Sequence, residues 1–373
     1  MKTLVVKIGS SVLTLESGAP DHKRFESFAQ DIAHVMDRGY AVVVVSSGAI
    51  AFGRGIAGAR LVPVGIAEKQ VLSSIGQPLL IHAYMHNFNP YNRIVSQVLL
   101  THEDFMDRQR YLNARRSMEL MLERGFVPIV NENDAIAVDE IKVGDNDTLS
   151  AMVAAMINAV KLIILSNVDA IYDRDPNKYQ NAKPLHEISY ADQHKNIDST
   201  KSRYGVGGIK TKLTAARQLA RLGISTTIVN GRTQGIVSSL VDHMEKKTGL
   251  LPGTTIIAGT KRVNGAKRWV GLLLKSSGSI AIDKGALSAL LVDKSLLAAG
   301  VTRATGAFQE GDVVDITDEK GRKIGRGITN YTAGEIESIK GMKSSQIKSA
   351  LGYFKGDEVV HRDNLMLDVG NQL

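Results

Sequence analysis

Apolar positions in the first two-thirds of the chain fall into two patterns that take turns. Continuous runs rich in Val and Ile occupy 3–8 (TLVVKI), 41–46 (AVVVVS), 94–100 (IVSQVLL), 126–130 (FVPIV), 161–166 (KLIILS) and 224–229 (ISTTIV). Between them lie stretches of helical spacing over about 22–38, 64–86, 109–124, 147–159 and 208–222. Runs without polar alternation are buried on both faces, so this order predicts an α/β fold with a mostly parallel central sheet sandwiched by helices. Near residue 246 the texture changes. Lys246-Lys247-Thr248-Gly249 leads into Pro252-Gly253, which reads as a linker. Beyond it, short runs at 279–282, 312–316, 323–328 and 358–361 are punctuated by glycines, a pattern that suggests a small β-barrel-like domain. The expected boundaries are residues 1–245, a linker over 246–268, and 269–373.

A length of 373 residues agrees with two domains. The chain has no Cys, which excludes disulfides, zinc–thiolate sites and thiol nucleophiles and suits a reducing, cytoplasmic compartment. Its start runs directly into a strand pattern rather than a signal-peptide core, and no apolar run approaches the 18 residues of a membrane span. The net charge of +8 is unevenly placed: 27 basic against 25 acidic residues over 1–245, and 19 against 13 over 246–373. An acidic partner would therefore meet the tail rather than the front.

In parallel sheets, ligands gather at the carboxyl ends of strands. The residues there are Gly9-Ser10-Ser11, Ser46-Ser47-Gly48-Ala49, Asn131-Glu132-Asn133-Asp134 and Asn167-Val168-Asp169. Small, Gly-bearing and polar groups thus cluster at one edge. Lys7-Ile8-Gly9-Ser10 sets a Lys before a Gly turn whose amides can face phosphate oxygens, although it is not a Walker motif. Ser47 could equally be a plain helix cap. Asp145-Asn146-Asp147 precedes a helix with Lys142 nearby. One cap explains one of these residues, not all, and the spacing does not fit a calcium loop. In Gly205-Val206-Gly207-Gly208-Ile209-Lys210-Thr211-Lys212 two lysines sit at a helix start. Positive charge there opposes the helix dipole, and a phosphate-bearing ligand would offset it. His361-Arg362-Asp363 looks like a protein-kinase triplet but lacks the companion elements and reads as structural.

Six segments in order resemble the amino acid kinase family, in its glutamate-phosphorylating branch with a C-terminal PUA domain: VVKIGSSVLT (5–14), VSSGAIAFGR (45–54), QVLLTHEDFMDRQRYLNAR (97–115), PIVNENDAIAVDEIKVGDNDTLSA (128–151), VGGIKTKL (206–213) and LGYFKG…VVHRD (351–363). The resemblance implies that Lys7 and Lys212 contact ATP phosphates and that Asp147 holds both lysines. Ser47, Asp134 and Asn146 match glutamate-binding positions, with Lys142 and Asp145 as helpers. Gly9, Ser166, Asn167 and Val206, Gly207, Gly208, Ile209, Lys210, Thr211 and Lys212 match nucleotide-binding positions. Two departures stand out: Ser166-Asn167 replaces a frequent Thr-Asp, and Ile209-Lys210 a frequent Met-Ser.

The implied reaction moves the γ-phosphoryl of ATP, with Mg²⁺ held largely by ATP oxygens, onto the γ-carboxylate of L-glutamate. No metal ligand from protein side chains is expected. A glutamate carboxylate with a pKa near 4.3 is already ionised at neutral pH, so no catalytic base is needed. The resemblance also implies proline as feedback inhibitor, a homo-oligomer (dimer or tetramer), and glutamyl phosphate reductase as the enzyme that takes up the product. The alternatives are a sister kinase acting on acetylglutamate, aspartate, carbamate or UMP, and RNA binding by the basic tail. Sparse aromatics argue against the latter.

Overall fold

The computed structural model describes residues 1–15, 19–60, 63–137, 146–176, 178–190, 208–246, 252–259 and 276–367. The chain divides into two compact units, Met1–Arg262 and Val263–Leu373.

In the first unit β1 (Lys2–Ile8), β2 (Tyr40–Ser46), β3 (Val95–Leu100), β4 (Val127–Glu132), β5 (Lys161–Ser166), β8 (Glu187–Ser189), β9 (Ser225–Asn230) and β10 (Thr254–Ile257) form one sheet, in the order β3-β4-β2-β1-β5-β9-β10-β8. The six strands from β3 to β9 run parallel, and β10 is antiparallel to β9. Strand β10 lies within 246–268, the segment expected as a linker. There Pro252-Gly253 turns the chain back toward the sheet, and Gly253 has φ +78°. A two-stranded pair, β6 (Ile171–Tyr172) and β7 (Pro184–Leu185), lies outside the sheet.

Every residue of β2 and β5 is buried, as their continuous apolar runs require. Side chains alternate across β1. Leu4, Val6 and Ile8 join a core with helices α2 (His22–Asp37), α3 (Ala49–Ala57), α4 (Ile66–Phe88) and α9 (Ile236–Lys246). Val5 and Lys7 take the other face, where α7 (Asn146–Met156) packs on β1 and β5 and α8 (Ile209–Arg221) packs on α7. The remaining helices are α1 (Ser10–Leu13), α5 (His102–Met106) and α6 (Arg108–Glu123), the last packed on β4 and β2.

Two contacts fix helices of the core on the first of these faces. Asp31 on α2 is buried, and its carboxylate accepts from Val237 N at 2.8 Å, from Ser238 N at 3.0 Å and from the Ser238 hydroxyl. It thereby caps the start of α9 from another helix. Helices α3 and α4 touch backbone to backbone at Gly53 and Gly76, where a Cβ on Gly76 would lie 1.8 Å from Ala49 O.

The second unit holds a five-stranded sheet ordered β13 (Val301–Gly306), β11 (Gly278–Ile282), β14 (Val313–Thr317), β15 (Lys323–Ile328), β17 (Leu365–Leu367), and a separate pair β12 (Leu296–Leu297) and β16 (Glu358–Val360). Ile280, Val314, Ile316 and Phe308 form its core with Ile336, Ile339 and Ile347. The last three come from helices Ala333–Ile339 and Ser344–Leu351, which the sequence reading lacked. His361-Arg362-Asp363 forms a short turn ahead of β17, with Asp363 N donating to His361 Nδ1 at 3.2 Å. No helix among the described residues is long and apolar enough to cross a membrane.

Candidate active site

The order of strands along the sheet reverses direction around β1: the chain proceeds to β2 and β4 on one side, then returns to β5 and β9 on the other. Such a switch point opens a crevice at the carboxyl edge. The parallel register sets Ile8 beside both Ser46 and Leu165, so the ends of β1, β2 and β5 are level there.

Lys7 emerges at this edge on the α7 face. Its Nζ lies 2.7 Å from Asp147 Oδ1, and Lys212 Nζ lies 2.9 Å from Asp147 Oδ2. Thr211 Oγ1 also lies 3.2 Å from Oδ2, with its single O–H shared with Gly208 O at 2.8 Å. Asp147 is 0% exposed, Lys7 3% and Lys212 7%. Asp147 stands in the first turn of α7, where a carboxylate is favoured, and Lys212 stands in the first turn of α8, where an ammonium is not. The helix-dipole argument assigned the offsetting anion at Lys212 to a ligand, whereas the family resemblance implied that Asp147 holds both lysines. In the structure the protein supplies one itself, Asp147. Lys210, the other lysine of that motif, is exposed.

Beside this trio lies a network of side-chain amides and hydroxyls. Asn146 Nδ2 faces Ser47 Oγ at 2.6 Å, Asn131 Oδ1 at 3.0 Å and the Ser46 carbonyl at 3.1 Å. Asn146 Oδ1 is buried without a hydrogen-bond partner among the described residues. Asn131 Nδ2 donates to Gln77 Oε1 at 2.9 Å, and Ser73 Oγ donates to Asp134 Oδ2 at 2.9 Å. Ser46 Oγ and the Tyr84 hydroxyl are 2.8 Å apart; burial drives the Tyr84 pKa upward and keeps its proton in place. Burial, with Asp134 and Glu103 adding negative charge, pushes the Glu132 carboxyl up to about 7. Asp134 is raised by burial too, against the opposing effect of the Ser73 hydrogen bond.

The structure thus brings Lys7, Asp147, Thr211 and Lys212 together, and links Ser47 with Asn146 through a second cluster that includes Asn131. Asp134 is tied to α4. Gly9 N donates to Leu165 O at 3.3 Å, which holds the turn after β1 against the end of β5. Ser166 is buried at that end, while Asn167 is exposed and accepts a long 3.4 Å bond from Ser166 Oγ. Gly208 caps α8 without a side chain, and Ile209 is half-buried. Lys142, Asp145, Val206 and Gly207 lie outside the described residues.

Sequence reasoning missed the contribution of α4. Gln70 donates to Ala137 O at 3.2 Å, Ser73 binds Asp134, Gln77 receives Asn131, and Tyr84 meets Ser46. These positions repeat at i, i+3, i+7 and i+14, a polar spine along one side of an apolar helix. Polar groups at the spacing of a buried face were the available signal.

Comparison with known proteins fits this geometry. The model for the amino acid kinase family matches residues 2–230, and that for the PUA domain matches 278–351. The chain belongs to the amino acid kinase family. Among curated members, the protein named glutamate 5-kinase from Thermoanaerobacter sp. (strain X514) is 41% identical over 367 residues, covering 98% of this chain and 97% of its own. A glutamate 5-kinase of Thermus thermophilus is likewise 41% identical, with the same coverage. Among solved structures, a carbamate kinase from Giardia lamblia bound to AMP-PNP superposes with a TM-score of 0.50 at 18% identity, over 69% of this chain and 99% of that one. It shares the amino acid kinase fold.

Proposed function

We propose that this chain is a cytosolic glutamate 5-kinase: it transfers the γ-phosphoryl group of ATP to the side-chain carboxylate of L-glutamate, giving L-glutamyl 5-phosphate and ADP. The observation that carries the reading is the buried Lys7–Asp147–Lys212 trio at the switch point of the sheet. Two ammonium groups on one carboxylate give the trio a net positive charge in a water-poor place, where compensation of a transferring phosphoryl group is strong. The names of the curated relatives, which align along nearly the whole chain, support glutamate as the acceptor.

In the proposed reaction, an oxygen of the ionised γ-carboxylate attacks the γ-phosphorus, and the bond to the β–γ bridging oxygen breaks to release ADP. No proton has to be removed from the nucleophile. Lys7 and Lys212 offset the charge on the transferring group and the leaving β-phosphate, and Asp147 keeps both ammonium groups aimed at the same point. Mg²⁺ would travel with ATP on its phosphate oxygens. The residues gathered here supply ammonium groups rather than an oxygen cage, so their part is charge compensation and alignment. Gly9, Ser166, Asn167 and the start of α8 from Gly208 would border the nucleotide.

At the amino-acid end, Ser47 Oγ lies 2.6 Å from Asn146 Nδ2, and its own O–H can donate to a carboxylate. Asn146 Oδ1 and Asp134 offer acceptors to an ammonium. The same reading brings in proline as feedback inhibitor, a homo-oligomer, and delivery of the labile acyl phosphate to glutamyl phosphate reductase. The test is Lys7→Ala, which should lower kcat on the order of 10²-fold or more. Near-normal turnover by that variant would remove Lys7, and with it the trio, from the chemistry.

A further inference from the structure

The amide network has only one self-consistent polarity. A backbone carbonyl can only accept, so the Asn146 atom facing Ser46 O is nitrogen. The Asn131 atom facing that nitrogen is then oxygen, which turns Asn131 Nδ2 toward Gln77 and requires the facing Gln77 atom to be Oε1. Each link obeys the rule that a donor meets an acceptor, and reversing any one sets two like groups together. Gln77 is 7% exposed and Asn131 2%. Water is therefore poorly placed to satisfy either amide, and the relay is held by its own members.

Polarity has a consequence at the site end. Asn146 is left with a buried carbonyl oxygen that has no partner among the described residues. Such an atom rewards a donor and penalises a ligand without one, because a buried polar group left unmatched loses its full hydration. The far end of the relay is Gln77 on α4, whose side chain, among the described residues, bonds through the one hydrogen bond it accepts from Asn131.

Resting on the reading of glutamate as acceptor, we propose that Gln77 is a specificity-determining positioning residue. Through Asn131 it holds Asn146 with its carbonyl toward the substrate's α-ammonium, so that the site selects five-carbon dicarboxylates bearing a free amino group.

The test uses the full chain and hydroxylamine trapping of the acyl phosphate, with glutamate and glutarate compared as acceptors. Gln77→Met keeps an unbranched side chain of similar size and removes the acceptor. Its KM for glutamate should rise about tenfold, its KM for ATP should hold, and its kcat/KM preference for glutamate over glutarate should fall about tenfold. Gln77→Glu keeps an oxygen toward Asn131 and should stay within about threefold of the parent on all three. Asn131→Ala breaks the relay one link nearer the site. It should lose the preference as Gln77→Met does, and it replaces that variant if the latter does not fold. An unchanged glutamate-to-glutarate preference in the Met variant or in Asn131→Ala overturns the inference. So does a Glu variant as impaired as the Met variant, which would make side-chain packing the cause. A parent chain that yields no glutamyl hydroxamate overturns the glutamate reading itself, a result distinct from either.

Discussion

Replacing Asp147 by Asn changes one oxygen to an NH₂ group and leaves the volume alone, so its effects isolate charge. In the parent, Lys7 and Lys212 reach the two carboxylate oxygens at 2.7 and 2.9 Å. The amide can accept from one of them and must turn a donor toward the other. With the shared anion gone, two ammonium groups that sat on the two oxygens of one carboxylate repel by a few kcal/mol, on the order of 332/(εr) at an effective dielectric of about 20. Losing one partner of a buried ion pair typically costs about 3–5 kcal/mol, so the first unit should unfold at a clearly lower temperature. ATP brings its own anionic oxygens to the same two lysines and replaces part of what was lost. The variant should therefore bind ATP without a rise in KM, gain more thermal stability from added ATP than the parent does, and show kcat reduced on the order of 10²-fold because the lysines are no longer aligned for the transition state. Calorimetry with and without ATP, combined with steady-state rates, checks all three. A kcat within about threefold of the parent would refute the positioning role of Asp147.

Asp31→Ala removes the carboxylate that caps α9 from α2 and strands two backbone donors. Chemical denaturation should show a loss of about 2–3 kcal/mol, with the KM values of the folded fraction unchanged. Glu132→Gln should stabilise the protein in a pH-dependent way. The parent carboxyl, raised to about 7 in the fold, resists ionising, so the folded state loses stability as pH climbs from the ordinary carboxylate range toward 7. The gain in Tm from the Gln variant should accordingly be largest at pH 8 and close to nil at pH 4; a gain independent of pH would argue against burial of this charge.

Much of this architecture was legible because strand and helix periods differ and because ligands in parallel sheets gather at one edge. Lys7, Ser47 and Asp134 could be picked out that way, and Asp147 from the excess of polar groups at a helix start. The pairing of Asp147 with Lys212, 65 residues apart, came only with the family resemblance, because read from the residues alone it depends on α7 and α8 packing side by side on the sheet. Helix α3 was hidden by its own glycines, Gly53 and Gly55, which lower helical propensity; Gly53 lets it approach Leu72 of α4, whose Gly76 in turn approaches Ala49. Strand β10 was masked by the Pro-Gly turn before it. Along α4, Gln70, Ser73 and Gln77 were submerged in a helix whose other residues are largely apolar, so the pattern reported a covering helix and not the polar face that holds residues 131–137.

The central claim is transfer of phosphate to the side-chain carboxylate of glutamate, and hydroxylamine trapping tests it most directly. The purified chain with ATP, Mg²⁺ and L-glutamate should form γ-glutamyl hydroxamate in step with ADP. Parallel reactions with aspartate or N-acetylglutamate should form little. Hydroxamate from either of those acceptors but none from glutamate would contradict the account and transfer the chain to a sister activity of the same family.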